Sequence, residues 1–244
     1  MNFSRYSDGI SGGLLLMFFL AAYLLLNDAE AGENPIDISR VNGRIELATG
    51  QVAGSVSTVN GGIKLASGSQ ATRVKTVNGS IKLHESVQVG DVQTVNGDIT
   101  IGKSGNIAGS VKTTNGSVFI HPDVAINGNV ATTNGNLTVS NGTTVASDLK
   151  AINGRIDLES TMVGGNIVTR DGNVILRNNS TVEGDITFKP RQKRWFRIFG
   201  FESFSKPHLK IDASSRIVGD IHLFREIDLD IADNAQTGEI IRHY

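Results

Sequence analysis

Asn-Gly pairs recur at Asn42, Asn60, Asn78, Asn96, Asn115, Asn134 and Asn153, with Asp171-Gly172 in the next slot; the successive steps are 18, 18, 18, 19, 19, 19 and 18 residues. No other feature of the sequence restricts the fold as strongly. A unit this short cannot bury an apolar face by itself, so each unit needs a neighbour stacked on it. Three residues past each Asn stands an aliphatic residue (Ile45, Ile63, Ile81, Ile99, Val118, Leu137, Ile156, Val174), and a second follows two positions later, from Leu47 to Leu176. Apolar spacing of two, rich in β-branched residues, is the pattern of a strand with one buried face.

A second signal follows in each unit: an apolar residue, a glycine, and another apolar residue, as in VAGSV, VGDV, IAGSV, INGNV, VEGDI and IVGDI around Gly54, Gly90, Gly109, Gly128, Gly184 and Gly219. The glycine marks a second corner, so each unit holds two or three short strands. The expected fold is all-β: a single-stranded parallel β-helix, or β-solenoid, of about ten rungs of 18–19 residues. Rungs about 4.8 Å apart make a rod on the order of 45 Å long. Right-handed winding is the default for parallel crossovers.

Stacked units also stack identical residues. Asn42, Asn60, Asn78, Asn96, Asn115, Asn134 and Asn153 are expected to form a structural ladder at one corner, each amide bonding the next. Asn also tolerates the left-handed backbone that such a corner is expected to need. A threonine column runs two residues earlier (Thr58, Thr76, Thr94, Thr113, Thr132, Thr169), broken by Arg40 and Ala151.

The period is interrupted once. After Phe188 the next apolar pair appears at Leu209 and Ile211, followed on schedule by Ile217, Gly219, Ile221 and Leu223, so about 17 residues are inserted. Residues 189–206, KPRQKRWFRIFGFESFSK, carry six basic residues against Glu202 alone, together with Trp195, Phe196, Phe199, Phe201 and Phe204. Pro190 and Gly200 suit the two ends of a short helix over 190–199. Such an arm either packs its rings on the solenoid or meets a membrane surface or protein partner. In the second case Arg191, Lys193, Arg194, Trp195, Phe196, Arg197 and Phe199 make the contact. A last rung is expected with Ile227 and Leu229 pointing inward, and residues 230–244 as a polar cap.

At the amino end, Arg5 precedes an apolar run over 14–26 and then Ala29-Glu30-Ala31. Thirteen apolar residues fit an export signal and fall short of the roughly 20 that span a bilayer. The segments are therefore 1–31 as signal peptide (or a retained anchor), 32–188 as repeats, 189–206 as the arm, and 207–244 as final rungs and cap. Either reading of the amino end exports the body to the periplasm or cell surface. Twenty-three basic residues nearly balance 24 acidic ones, which gives no global attraction to nucleic acid. The absence of cysteine excludes disulfides, thiolate metal sites and thiol catalysis.

Catalytic signals are sparse. Of His84, His121, His208, His222 and His243, none stands at zinc-like spacing from another. His84 and His121 share a slot two rungs apart, about 9.6 Å, and are expected to face outward. Asp157 with Glu159, and Glu183 with Asp185, are read as solvated strand residues, with an acid/base pair as the alternative. No cofactor and no metal are expected.

The rungs TVNGDI, VEGDI and IVGDI resemble bacterial polymer-forming β-solenoids of the bactofilin type, and equally exported adhesin-type proteins with a VNG-x-I repeat. The resemblance covers residues 36–188 and 208–240 and implies a non-enzymatic scaffold or adhesive module. The expected function is an exported structural or adhesion-type rod at the cell envelope. Its partner is a membrane surface or envelope protein met through the arm. The alternatives are a scaffold that self-associates through its ends, and a polysaccharide-active β-helix enzyme.

Overall fold

The computed structural model describes residues 35–191 and 206–244. The chain is an all-β parallel solenoid. One face of every rung joins a ten-stranded parallel sheet that begins with Ile45–Leu47, Ile63–Leu65 and Ile81–Leu83 and ends with His208–Ile211 and Asp228–Ile231. The remaining strands form a 17-stranded sheet that supplies the other two sides. Ile81 lies in register with Ile63 below and Ile99 above, as the 18-residue repeat requires.

The interior is almost wholly aliphatic. Ile63, Leu65, Ile99, Ile101, Val118 and Ile156 are all buried, and their outward neighbours Lys64, Thr100, Phe119 and Asp157 alternate with them along each strand. Burying side chains of this size stabilises by roughly 1.5–3 kcal/mol each. No single rung encloses a core, so the gain exists only between neighbours. Among the described residues Phe188 is the largest buried side chain, and it fills the rung from which the insertion departs.

Three corners close each rung, and each has its own chemistry. At the first, Asn60 Nδ2 donates to Asn42 Oδ1 at 3.0 Å, and the same bond repeats from Asn78, Asn96, Asn115, Asn134 and Asn153 at 2.7–2.9 Å. Beside it, the hydroxyls of Thr76, Thr94, Thr113 and Thr132 donate to the carbonyls of Gly61, Gly79, Gly97 and Gly116 at 2.8–2.9 Å. The glycine of the Asn-Gly pair is required by this stacking. A Cβ on Gly116 would stand 2.0 Å from the Gly97 carbonyl oxygen, and one on Gly135 would stand 1.9 Å from that of Gly116.

The ladder asparagines do not adopt the left-handed backbone that the sequence reading gave them. Positive φ among non-glycine residues falls on Ser86, Ser104, Asp123, Ser160, Asn178 and Asn179. The first five share a corner with Gly50, Gly68 and Gly142, the second of the three along each rung, and Gly54, Gly90 and Gly109 mark the third. An Asn in the ladder needs its side chain aimed along the rod axis, and the Asn42/Asn60 and Asn60/Asn78 pairs keep ordinary parallel strand pairing while doing so.

The third corner holds a second ladder. Backbone N–H groups donate to a side-chain oxygen one rung below: Ser110 to Asp91, Asn129 to Ser110, Asp148 to Asn129, Asn166 to Asp148, Asp185 to Asn166, Asp220 to Asp185 and Glu239 to Asp220, at 2.8–3.3 Å. This is why a glycine precedes that position in each of these rungs except at Asp148, which follows Ser147. A Cβ on Gly109, Gly184 or Gly219 would meet the acceptor oxygen within 2.3–2.5 Å.

The insertion behaves as the period implied: Val174 pairs with Leu209 and Ile186 with Ile221 across a 35-residue step. The last rung differs from expectation. Leu209 pairs with Leu229 and Ile211 with Ile231, so the inward pair is Leu229/Ile231 rather than Ile227/Leu229. A slip of two keeps every side chain on the same face, and hydrophobic alternation alone does not separate the two registers.

Candidate functional site

The root of the inserted arm gathers several charged side chains. By the spacing of the repeat, the corner after Phe188 would carry an Asn-Gly pair, and the chain leaves there instead. The Asn ladder must therefore end one rung earlier. Asp171 stands where the next Asn would be, and a carboxylate has no N–H to offer Asn153 Oδ1. Arg170 supplies it, Nη2 donating at 2.7 Å, while its Nε donates to Asp171 Oδ2 at 2.8 Å.

Asp171 then becomes a hub. Arg225 Nη1 donates to its Oδ1 and, at 3.1 Å, to the Arg170 carbonyl, and Arg191 Nε lies 3.5 Å from the same carboxylate. Burial pushes the Asp171 carboxyl up, but the hydrogen bonds and charges of Arg170 and Arg225 outweigh it and hold the group below the ordinary carboxylate range. The arm's feet are fixed on both sides. Lys189 N–H donates to the Thr169 carbonyl at 2.8 Å, His208 N–H donates to Asn173 Oδ1 at 2.9 Å, and Lys206 pairs with Glu226 at 2.9 Å. Arg170, Lys189, Arg191, Lys206 and Arg225 against Asp171 and Glu226 leave the root net positive.

Of the contact residues expected in the arm, Arg191 is placed here. Lys193, Arg194, Trp195, Phe196, Arg197 and Phe199 lie outside the described residues, as do the expected helix over 190–199 beyond Arg191 and the apolar run over 14–26. Among the described residues no helix is long and apolar enough to cross a membrane.

The carboxylates considered for acid/base chemistry are placed as follows. Arg177 Nη2 lies 2.9 Å from Asp157 Oδ1 and 4.0 Å from Glu159 Oε2, and Asn178 Nδ2 donates to Glu159 Oε1 at 3.0 Å. The Asp157 side chain is only 15% exposed, so it is less solvated than alternation suggested, because Arg177 from the next rung lies over it. His121 is exposed, but His84 is half-buried, and its Nε2 is buried without a hydrogen-bond partner. Among the described residues no three His, Asp or Glu side chains converge on one point.

Sequence reasoning passed over one cluster. His222 Nδ1 lies 3.2 Å from His243 Nε2, and Phe224 stacks on the His243 ring at 4.1 Å with a 5° tilt. These three line an open groove with Thr187, Lys189 and Pro190, next to the arm's first foot. The signal that would have found it is a spacing of 21 residues, one 19-residue rung plus two along the strand. No known protein family, curated protein or solved structure matches the chain.

Proposed function

We propose that the chain is an exported, non-enzymatic structural or adhesion-type rod of the cell envelope, which holds the arm over 189–206 against an anionic membrane surface or an envelope protein. The observation that carries this reading is the anchorage of the arm's feet. The Asn ladder is ended by Arg170 and Asp171, and Asp171 clamps both Arg191, at the first foot, and Arg225, from the following rung. An insertion of this length needs no such anchorage to be tolerated, since longer surface loops cost little extra closure entropy. The anchorage supports a segment whose position on the rod matters. Arg177, which pairs with Asp157, and Asn178, which donates to Glu159, favour a structural role for the two carboxylates over general acid/base chemistry. Export is read from residues 14–26, and the basic and aromatic composition of the arm suits rings in a headgroup layer with Arg and Lys on anionic lipid.

Flotation with phosphatidylglycerol-containing liposomes tests the reading. Wild type floats, and Arg194→Ala with Trp195→Ala does not. Equal flotation of both, or no flotation of either, removes the membrane contact. A second reading, self-association through the ends, is favoured by Leu229, Ile231 and Ile240, which are only partly buried on the terminal rung. Electron microscopy of purified protein separates filaments from single rods.

A further inference from the structure

His222 and His243 have no part in the solenoid's repeating chemistry. The His222 slot holds Thr187 one rung below and Ile241 one rung above, so nothing in the stacking asks for an imidazole. We propose that His222 and His243 form a two-imidazole binding site for a divalent transition-metal ion, with Asp185 as the positioning carboxylate behind His222. The proposal rests on these two rungs alone and is independent of any role for the arm.

Three observations carry it. First, the facing nitrogens are 3.2 Å apart. With metal–nitrogen bonds of about 2.0–2.1 Å, that separation subtends an angle of about 100° at a shared ion, between square-planar and tetrahedral values. Second, the other nitrogen of His222, Nε2, lies 3.6 Å from Asp185 Oδ2. Asp185 is itself held, because its Oδ1 accepts the Asp220 backbone N–H at 2.9 Å. Carboxylate, imidazole and ion then lie in the order found in metal sites; at 3.6 Å Asp185 orients the ring by its charge without a direct hydrogen bond, and the Nδ1 that ligates is the one that meets His243 Nε2 when no ion is bound. Third, the His243 ring is flat against Phe224, which fixes the plane in which its Nε2 points. Asp185, His222 and His243 come from three successive rungs, and the open groove leaves the remaining coordination positions to water. Imidazole donors select Cu(II), Ni(II) and Zn(II) over Mg(II), with Cu(II) bound most tightly.

The test is calorimetric titration of the untagged, full chain with Cu(II), Zn(II) and Mg(II). His222→Thr places in that slot the residue of the rung below. His243→Phe keeps the stack on Phe224. Asp185→Asn keeps the acceptor for the Asp220 N–H, as Asn166 does in the same column. The expected result is one Cu(II) or Zn(II) per chain, no Mg(II), and an affinity lowered at least about tenfold by either histidine variant. Asp185→Asn lowers it about tenfold while leaving the metal-free melting temperature unchanged. In wild type, Zn(II) shifts the imidazole NMR signals of His222 and His243 and leaves those of His84, His121 and His208 in place, a readout that needs no variant. No Cu(II) or Zn(II) binding, equal affinity in wild type and both histidine variants, or Zn(II) shifts at the other histidines instead, overturns the proposal.

Discussion

Rungs near the amino end and rungs further along turn the third corner differently. From Ala53 to Val56, Ala71 to Val74 and Val89 to Val92 the chain takes a step of three from one inward side chain to the next, and the strand runs through the bend: Val52–Asn60 and Gln70–Asn78 are nine residues long. From Ile107 to Val111 onward it takes four, and the same stretch breaks into two short strands. This single residue is the 19th of the longer repeats. The first instance lies between Ile107, which pairs with Val89, and Val111, which pairs with Val92: Ala108 N–H donates to the Val89 carbonyl, Gly109 N–H to the Gly90 carbonyl and Ser110 N–H to the Asp91 side chain, so three residues stand where the rung below has two. A sharper corner takes a backbone N–H out of strand pairing, and it needs another acceptor. The Asp, Asn and Ser oxygens of the corner ladder supply one from Asp91 upward; the early rungs use it once, where the Ser55 N–H donates to Asp37 Oδ1 at 2.6 Å, and otherwise keep Ser55, Arg73 and Asp91 in continuous register. A tolerated repeat length is therefore a matter of where the extra amide finds its acceptor.

The contrast predicts unequal responses to one-residue changes. Deleting Thr100 from Ile99–Ile101 puts one of the two inward side chains on the wrong face and abolishes folding, read as loss of the β-sheet circular dichroism signal. Gly116→Ala, whose Cβ would stand 2.0 Å from the Gly97 carbonyl oxygen and 3.1 Å from the Asp98 nitrogen, costs about 3 kcal/mol in chemical denaturation, since rungs would have to part to admit it. Deleting Ala108 leaves Ile107 and the following valine three apart, as in the rung below, so the protein stays folded and loses about 1–2 kcal/mol with the local corner bonds. Asn96→Ala removes two solvent-exposed ladder bonds and costs about 1 kcal/mol.

The smallest effect is with pH. Burial pushes the Asp171 and Asp212 carboxyls up, but Arg170 and Arg225 around the first, and Ser215, Ser214 and the Asn178 N–H around the second, hold both below the ordinary range. A depressed folded pKa contributes stability above the ordinary carboxylate value of about 3.9 that is lost as pH falls through the folded value. The melting temperature is thus expected to hold down to about pH 4 and then to fall, and Asp171→Asn should make that fall shallower.

Much of this architecture was legible because packing repeats identity. The Asn ladder, the threonine column and the paired aliphatic slots repeat the same residue type in most rungs, so the period is visible by inspection. The corner ladder was not legible, because Asp91, Ser110, Asn129 and Asp148 all offer an oxygen and any of them serves. Its glycines were visible and their reason was not. The register of Leu229 was hidden by the period of two. The hub at Asp171 could be seen only as a missing Asn, since its partner Arg225 lies 54 residues away across the insertion. The His222/His243 pair escaped because motif spacing is judged along the chain, whereas a solenoid brings together residues one rung apart.

The central claim is that neighbouring units lie one above another in register, and the cysteine-free chain allows a direct measurement. Lys64 faces Lys82 in the next rung, and Thr100 lies one rung beyond. Under mild oxidation, Lys64→Cys with Lys82→Cys closes a disulfide, because in-register neighbours about 4.8 Å apart fall within bridging distance. Lys64→Cys with Thr100→Cys stays reduced within the monomer at about 9.6 Å. Efficient bridging of the second pair and none of the first would contradict the stacked-rung fold.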